Sequence, residues 1–292
     1  MSEEDLEVKT DDPNTIDTFT NKPRFTFHRK VSLTLQRHLN NRRTSEFIAE
    51  TFGTCLMIII GLAGGAQTKF ISKDNFYLSD NLTPNILAGL SLTISILVVG
   101  KVSKAHLNPA VSLAMLFNKQ ISILEFFMYI SAQFLGAFLG ALIVFLIYFD
   151  AINSYGPNKY SIDTSLIFIT NPNKNLTVLG IIFDQIIGTA IYLVLILALT
   201  DKKNVKFTPE GTAFAVGVAL FVICSTMGYN SGSPLNPARD FSPRFFTFIA
   251  GWSCDVFKIG NFYFWIPLIC PMIGSAIGTG IYWLIISRHL AQ

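Results

Sequence analysis

Six long apolar stretches dominate this sequence and constrain what it can fold into. They run at about 45–67, 84–102, 121–148, 177–200, 212–230 and 262–287. A helix that crosses a bilayer needs about 20 mostly apolar residues, so each stretch is long enough to span a membrane. Only 14% of the residues are charged, whereas a typical soluble domain has about a quarter. The sequence therefore predicts an all-α membrane protein with six transmembrane helices and disfavours a soluble enzyme.

The charged residues predict how the chain is oriented. Residues 1–43 are polar, acidic first and then basic, and we expect a cytoplasmic segment that is largely disordered. A second basic stretch, with three lysines, lies at 201–211. Cytoplasmic flanks collect Lys and Arg, so both termini and this stretch are predicted inside the cell and the long loop 149–176 outside. The channel domain is predicted at 44–287, followed by a short cytoplasmic C-terminus at 288–292.

The chain contains a duplicated unit. The matching pairs are Asn108-Pro109-Ala110 with Asn236-Pro237-Ala238, Gly89 with Gly217, and Glu50-x-x-Gly53-Thr54 with Gln185-x-x-Gly188-Thr189. These pairs define repeat one at about 44–148 and repeat two at about 177–287. Each repeat holds three spans, an odd number, so the second repeat must enter the membrane inverted. Inverted repeats place a solute path near the midplane, between the two halves.

Each repeat also contains an apolar stretch too short to span a membrane, and each stretch follows an Asn-Pro pair. Asn is a preferred N-cap and Pro fits the first helical position, so two re-entrant half-helices are predicted to begin at Asn108 and Asn236. Inversion brings their N-termini together near the membrane centre. Each N-terminus carries roughly half a positive charge, so the pair opposes cations. The two Asn side chains can offer N–H donors to a hydroxyl group or to water.

Two charged residues lie where charge is expensive. Arg239 follows the second motif and is interpreted as a donor and a barrier to cations and protons, with snorkelling to the headgroups as the alternative. Glu50 is interpreted as a buried acceptor that supports the neighbouring loop, with a proton relay as the alternative. Its counterpart Gln185 is neutral, which favours the supporting role. No carboxylate pair, nucleophile with a base, phosphate loop or metal cluster stands out, so no enzyme activity, metal or cofactor is predicted.

The motifs resemble those of the aquaporin family, and within it the aquaglyceroporin branch. The resemblance rests on the residues at 105–110, 183–189 and 236–244. The branch markers are Asp240, Arg244, Pro267 and Leu268. The resemblance implies a passive channel for glycerol, water and other small uncharged solutes such as urea, which excludes protons and ions. It also implies a homotetramer in the cell membrane and a loop-supporting role for His106. The net charge of +3 gives no reason to expect nucleic acid.

In the family, four side chains line the outer constriction, and the resemblance assigns them to Ala88, Cys224, Ser233 and Arg239. Glycerol channels typically carry a bulky aromatic residue at the first or third of these positions. Neither is aromatic here, which predicts a wide and partly polar constriction. Two alternatives stay open at this point: a water-selective aquaporin, and a non-conducting membrane junction or adhesion protein on the same fold.

Overall fold

The computed structural model describes residues 41–74, 82–157 and 159–290. Its principal helices are α1 (Arg42–Asp74), α2 (Leu82–Ser103), α3 (Pro109–Phe117), α4 (Ile123–Ile147), α5 (Val178–Thr200), α6 (Pro209–Ser231), α7 (Pro237–Thr247) and α8 (Ile266–Tyr282). In these described ranges, six helices are long and apolar enough to cross a membrane. The other two principal helices, α3 and α7, have 9 and 11 residues. The predicted six spans and two half-helices are confirmed.

The chain divides into a unit at Met1–Thr44 and a unit at Ser45–Gln292, and the helices described here lie in the second apart from the first residues of α1. The predicted cytoplasmic segment at 1–43 lies outside the described residues except for 41–43. The last two residues of the predicted C-terminus, 291–292, lie outside them as well.

Some helices differ in length from the apolar stretches that predicted them. Helix α1 runs on to Asp74, past the predicted end at 67, because hydrogen bonding and not hydropathy sets where a helix stops. Helix α8 begins at Ile266, later than predicted, and a π-helical turn, Trp283–Ser287, follows it. The loop predicted at 149–176 contains two short helices, Phe149–Asn153 and Ile162–Ser165.

The bundle differs from a soluble protein in that long aliphatic side chains are exposed on the outer faces of its helices. Leu146 is 62% exposed and Leu179 is 61% exposed. The side chains of Glu50, Gln133 and Arg244 are fully buried. A membrane solvates aliphatic groups but not polar ones, so polar side chains must find partners inside the bundle. The interior polar groups are therefore the place to look for a site.

Glycines let the helices of the two repeats approach closely. A Cβ atom on Gly89 of α2 would lie 2.5 Å from the carbonyl oxygen of Gly217 in α6, and one on Gly217 would lie 2.6 Å from that of Gly89. Within the second repeat, a Cβ on Gly274 of α8 would lie 2.5 Å from the carbonyl oxygen of Ile186 in α5. The half-helices cross between repeats, since α3 packs on α8 and α7 packs on α4. The two repeats thus share one interior.

Candidate functional site

Both half-helices are capped by the asparagine that the sequence indicates. Asn108 Oδ1 accepts a hydrogen bond from the backbone N–H of Ala110 at 2.8 Å. Asn236 Oδ1 accepts from the N–H groups of Ala238 at 3.0 Å and Arg239 at 3.2 Å. A proline occupies the first turn of each half-helix, where a missing N–H costs nothing. Local sequence chemistry alone therefore fixes where α3 and α7 begin.

The same two asparagines join the loops to each other. Asn108 Nδ2 donates to the carbonyl oxygen of Leu235 at 3.1 Å, and Asn236 Nδ2 donates to that of Leu107 at 2.8 Å. Each amide nitrogen has two N–H groups, and each of these bonds uses one of them. The reciprocal pair joins the two loops next to the N-termini of both half-helices, and one N–H group of each amide is not used by it.

The loops before α3 and α7 follow the same backbone path. Aligning the halves on Asn108 and Asn236 places left-handed residues opposite one another. The pairs are Lys104 (φ 63°) with Gly232 (φ 78°), Ala105 (φ 51°) with Ser233 (φ 43°), and Leu107 (φ 54°) with Leu235 (φ 48°). Left-handed backbone is unfavourable for residues other than glycine, so surrounding contacts must hold it. Those contacts differ between the two loops.

Glu50 supports the first loop and is fully buried. Its Oε1 accepts from the backbone N–H of Leu107 at 2.5 Å and from Gln133 Nε2 at 2.8 Å. Its Oε2 accepts from Ser103 Oγ at 2.8 Å. Each of these three partners is a neutral hydrogen-bond donor. The geometry is that of a structural acceptor.

His106 and Ser112 lie beside this cluster. Gln133 Nε2 donates to Ser112 Oγ at 2.9 Å, and His106 Nδ1 lies 3.2 Å from the same oxygen. The imidazole also stacks on Tyr129, with ring centroids 4.3 Å apart. His106 is therefore fixed against α4 inside the bundle.

The second loop has a weaker neutral support and a displaced carboxylate. Gln185 Oε1 accepts from the backbone N–H of Leu235, but at 3.4 Å. Gln185 Nε2 donates to Ser231 Oγ at 2.7 Å and to Asp184 Oδ2 at 3.0 Å. Asp184 in turn accepts from Ser231 Oγ at 2.5 Å and from Asn230 Nδ2 at 2.8 Å. The carboxylate of the second repeat therefore lies at Asp184, one residue before Gln185, which is the counterpart of Glu50.

Arg239 lies in the first turn of α7 and is half-buried. Its Nη1 donates to the carbonyl oxygen of Phe168, in the loop between α4 and α5, at 3.2 Å. Cys224 of α6 is 7% exposed. Ser233 is buried in the second loop, and half-buried Ala88 precedes Gly89 at the α2–α6 crossing. A guanidinium fixed by a carbonyl presents its other N–H groups in a constant direction.

Two of the predicted branch markers form a fully buried ion pair behind Arg239. Arg244 donates to Asp240 Oδ1 from Nε at 3.0 Å and from Nη2 at 2.8 Å. It also donates to the carbonyl oxygen of Val256 at 2.6 Å. The other two markers, Pro267 and Leu268, lie in the first turn of α8 and are buried and half-buried. The structure therefore joins Asp240 and Arg244 directly, whereas Pro267 and Leu268 lie on a different helix.

Comparison with known proteins identifies the fold. The family model described as Major intrinsic protein matches residues 37–282. This chain belongs to the major intrinsic protein family. Human aquaporin-9 is 39% identical over 265 residues, which cover 89% of this chain and 87% of that protein. Aquaglyceroporin-2 of Rhizophagus irregularis is 35% identical over 249 residues, covering 82% and 76% of the two chains.

A solved structure supports the same assignment. The X-ray structure of the aquaglyceroporin from Plasmodium falciparum superposes with a TM-score of 0.75 at 32% sequence identity. The match covers 85% of this chain and 99% of that one. The major intrinsic protein family is a family of membrane channels.

Sequence reasoning missed several contacts of this major intrinsic protein chain. Phe168 acts through its backbone carbonyl, so its side chain gives no signal. Thr170, Ser112 and Gln133 are common residue types, and nothing local marks them as partners of the loops. Their partners lie far away in the sequence, and a periodicity or a short motif cannot detect such pairs. The one available signal was the repeat itself, which aligns Ser112 with Asp240.

Proposed function

We propose that this chain is a passive channel for glycerol, water and other small uncharged solutes, and that it excludes protons and ions. The observation that carries the proposal is the reciprocal pair of asparagine caps with Arg239 beside it. Opposed helix N-termini and a guanidinium together make a positive field along the route, which repels cations. The asparagine amides and Arg239 supply N–H donors that a hydroxyl group or a water molecule can accept.

The proposed outer constriction is formed by Ala88, Cys224, Ser233 and Arg239. Three of these side chains are small, so the constriction leaves room for a three-carbon polyol beside the guanidinium. The aquaglyceroporin names of several relatives support glycerol as a solute. Because the family is a channel family, we infer a transport role for this chain and no enzyme activity.

We further propose a homotetramer in the cell membrane with both termini in the cytoplasm. The basic residues at 201–211 and the basic flank before α1 support this orientation. The open aliphatic faces of the long helices are suited to lipid and to neighbouring subunits. In this orientation the loop at 149–176 and the region after α7 face the outside.

The test is solute flux in vesicles that contain the purified protein. Shrinkage and recovery after mixing with glycerol, urea or sorbitol give one permeability per solute, and an osmotic step with sorbitol gives that of water. We expect entry of glycerol and exclusion of sorbitol. Flux of water without glycerol would instead indicate a water-selective channel, and no flux of either a non-conducting membrane protein.

A variant tests the proposed constriction. Ala88→Trp combined with Ser233→Phe should lower glycerol permeability at least about tenfold while lowering water permeability less, because a single file of water needs less width. Leu97→Trp is a matched control, since Leu97 is 51% exposed on the outer face of α2. An equal fall of both permeabilities would place the narrowest point elsewhere.

A further inference from the structure

A short segment of the outer loop is built into the bundle. Ile167, Phe168, Ile169 and Thr170 are each no more than 7% exposed, although they belong to a loop between two spans. Loops usually run over the surface, because buried backbone polar groups need partners. The backbone N–H groups of Ile167, Phe168 and Ile169 donate to carbonyl oxygens of Thr164 and Ser165 in the same loop. The Phe168 carbonyl and Thr170 instead bond to α7, the half-helix that carries Arg239.

Thr170 anchors the segment on the ion pair. Its backbone N–H and its Oγ1 both donate to Asp240 Oδ2, at 2.9 and 2.5 Å. Its carbonyl oxygen accepts from Arg244 Nη2 at 2.9 Å. Asp240 Oδ1 is occupied by Arg244, so the two oxygens of the carboxylate have separate tasks. Tyr263 closes the group, with its hydroxyl 3.2 Å from Thr170 Oγ1.

Two residues before this anchor, the carbonyl oxygen of Phe168 accepts from Arg239 Nη1. Three residues of α7 therefore hold the segment: Asp240 and Arg244 bond to Thr170, and Arg239 bonds to the Phe168 carbonyl. A buried, charge-assisted hydrogen bond restricts its partners more than a neutral one does. Any shift of Thr170 moves the Phe168 carbonyl and with it the acceptor that orients the guanidinium.

We propose that Thr170 is a positioning residue of the channel: its bonds to Asp240 hold the Phe168 carbonyl and so orient Arg239 for polyol passage. The proposal rests on the proposed function, and it extends that function to a residue of the outer loop. It also assigns a task to Asp240 and Arg244, which clamp the outer loop without lining the constriction. A polyol needs donors in fixed directions to replace its hydration, whereas water accepts a wider range of orientations. Glycerol permeability is therefore the quantity that depends on Thr170.

The experiment compares three variants in the vesicle assay, with permeabilities normalised to the amount of reconstituted protein. Thr170→Val keeps the shape and removes the hydroxyl, and we expect the glycerol-to-water permeability ratio to fall at least about threefold, since small displacements of positioning groups have large effects. Thr170→Ser restores the hydroxyl and should restore the ratio. Thr164→Val is the matched control: Thr164 is a fully buried threonine of the same loop, whose hydroxyl bonds to Lys159, Ser161 and Trp252.

The outcomes separate the two proposals. Absence of glycerol flux in the unmodified protein would contradict the proposed function itself. With glycerol flux present, an unchanged ratio in Thr170→Val, with both permeabilities reduced by one factor, would overturn the positioning role and leave a structural one. An equal change of the ratio in Thr164→Val would overturn it as well. If Thr170→Val does not fold, Thr170→Ala takes its place, since it removes the hydroxyl and keeps the backbone bond to Asp240. The same glycerol-to-water permeability ratio is then measured for Thr170→Ala.

Discussion

The loop before α3 and the loop before α7 have left-handed backbone at the same three positions, yet different side chains support the two loops. The first loop is supported by Glu50, whose two oxygens receive three donors from within the bundle. The second is supported by Gln185 through one long bond to Leu235, with the carboxylate at Asp184. The backbone path is thus a property of the repeat, whereas its support is particular to each half.

The difference continues one turn into the half-helices. Ser112 of α3 bonds to Gln133 and lies beside His106, both within the membrane part of the first repeat. Its counterpart Asp240 in α7 bonds to Thr170, in the loop between α4 and α5, and to Arg244. The first half-helix is therefore linked to its own loop and to α4, whereas the second is linked to the buried segment 167–170 of the loop between α4 and α5.

The largest expected effect compares the two supports directly. Glu50→Leu leaves three buried donors without their acceptor and should lower the free energy of unfolding by roughly 4 kcal/mol or more. Gln185→Leu should cost only about 1–2 kcal/mol, because its bond to Leu235 is long and because Ser231 and Asp184 still bond to each other. Unfolding midpoints of the purified variants in one detergent measure the difference. Equal losses would show that the two supports are equivalent.

A second substitution makes the half-helices alike in their first turn. Val111 follows the first Asn-Pro-Ala, so Arg239→Val gives both repeats the same four residues. Removal of the fixed charge should raise proton leak at least about tenfold, which corresponds to about 1.4 kcal/mol in the barrier. Glycerol and water should still pass. Arg239→Lys, which keeps the charge without the planar fork, is the control.

Proton flux is measured with a pH-sensitive dye inside vesicles under a pH gradient. A leak in Arg239→Val and not in Arg239→Lys would assign the barrier to charge. An unchanged, low proton permeability in both variants would mean that the half-helix N-termini exclude protons without Arg239.

The smallest effect concerns the first left-handed position of each loop. Gly232→Ala should cost about 1 kcal/mol, because an alanine is disfavoured at φ 78° and its Cβ would lie 3.4 Å from Thr170 Cγ2. Lys104→Gly relieves the same strain at φ 63° but frees the unfolded chain, so its net effect should stay below about 0.5 kcal/mol. The unfolding midpoints of the two variants, each compared with that of the unmodified protein, test these expectations. A large loss in Lys104→Gly would reveal a stabilising contact of the lysine side chain.

The six spans, the inverted repeat and the starts of both half-helices could be predicted from the residues alone. Hydropathy over about 20 residues and an Asn-Pro cap are local properties, so they can be read without knowing the fold. The end of α1 could not be read in this way, because the helix extends beyond its apolar stretch into Asp74.

The contacts of the repeated motifs could not be inferred without the packed structure. That Asn108 bonds to Leu235, that Glu50 bonds to Leu107, and that Thr170 bonds to Asp240 depends on elements far apart in the chain. The Phe168 carbonyl that accepts from Arg239 is a backbone group, which every residue type offers equally. Lipid offers polar groups no partner, so the partners come from the protein, and the packing of the helices sets which ones are within reach.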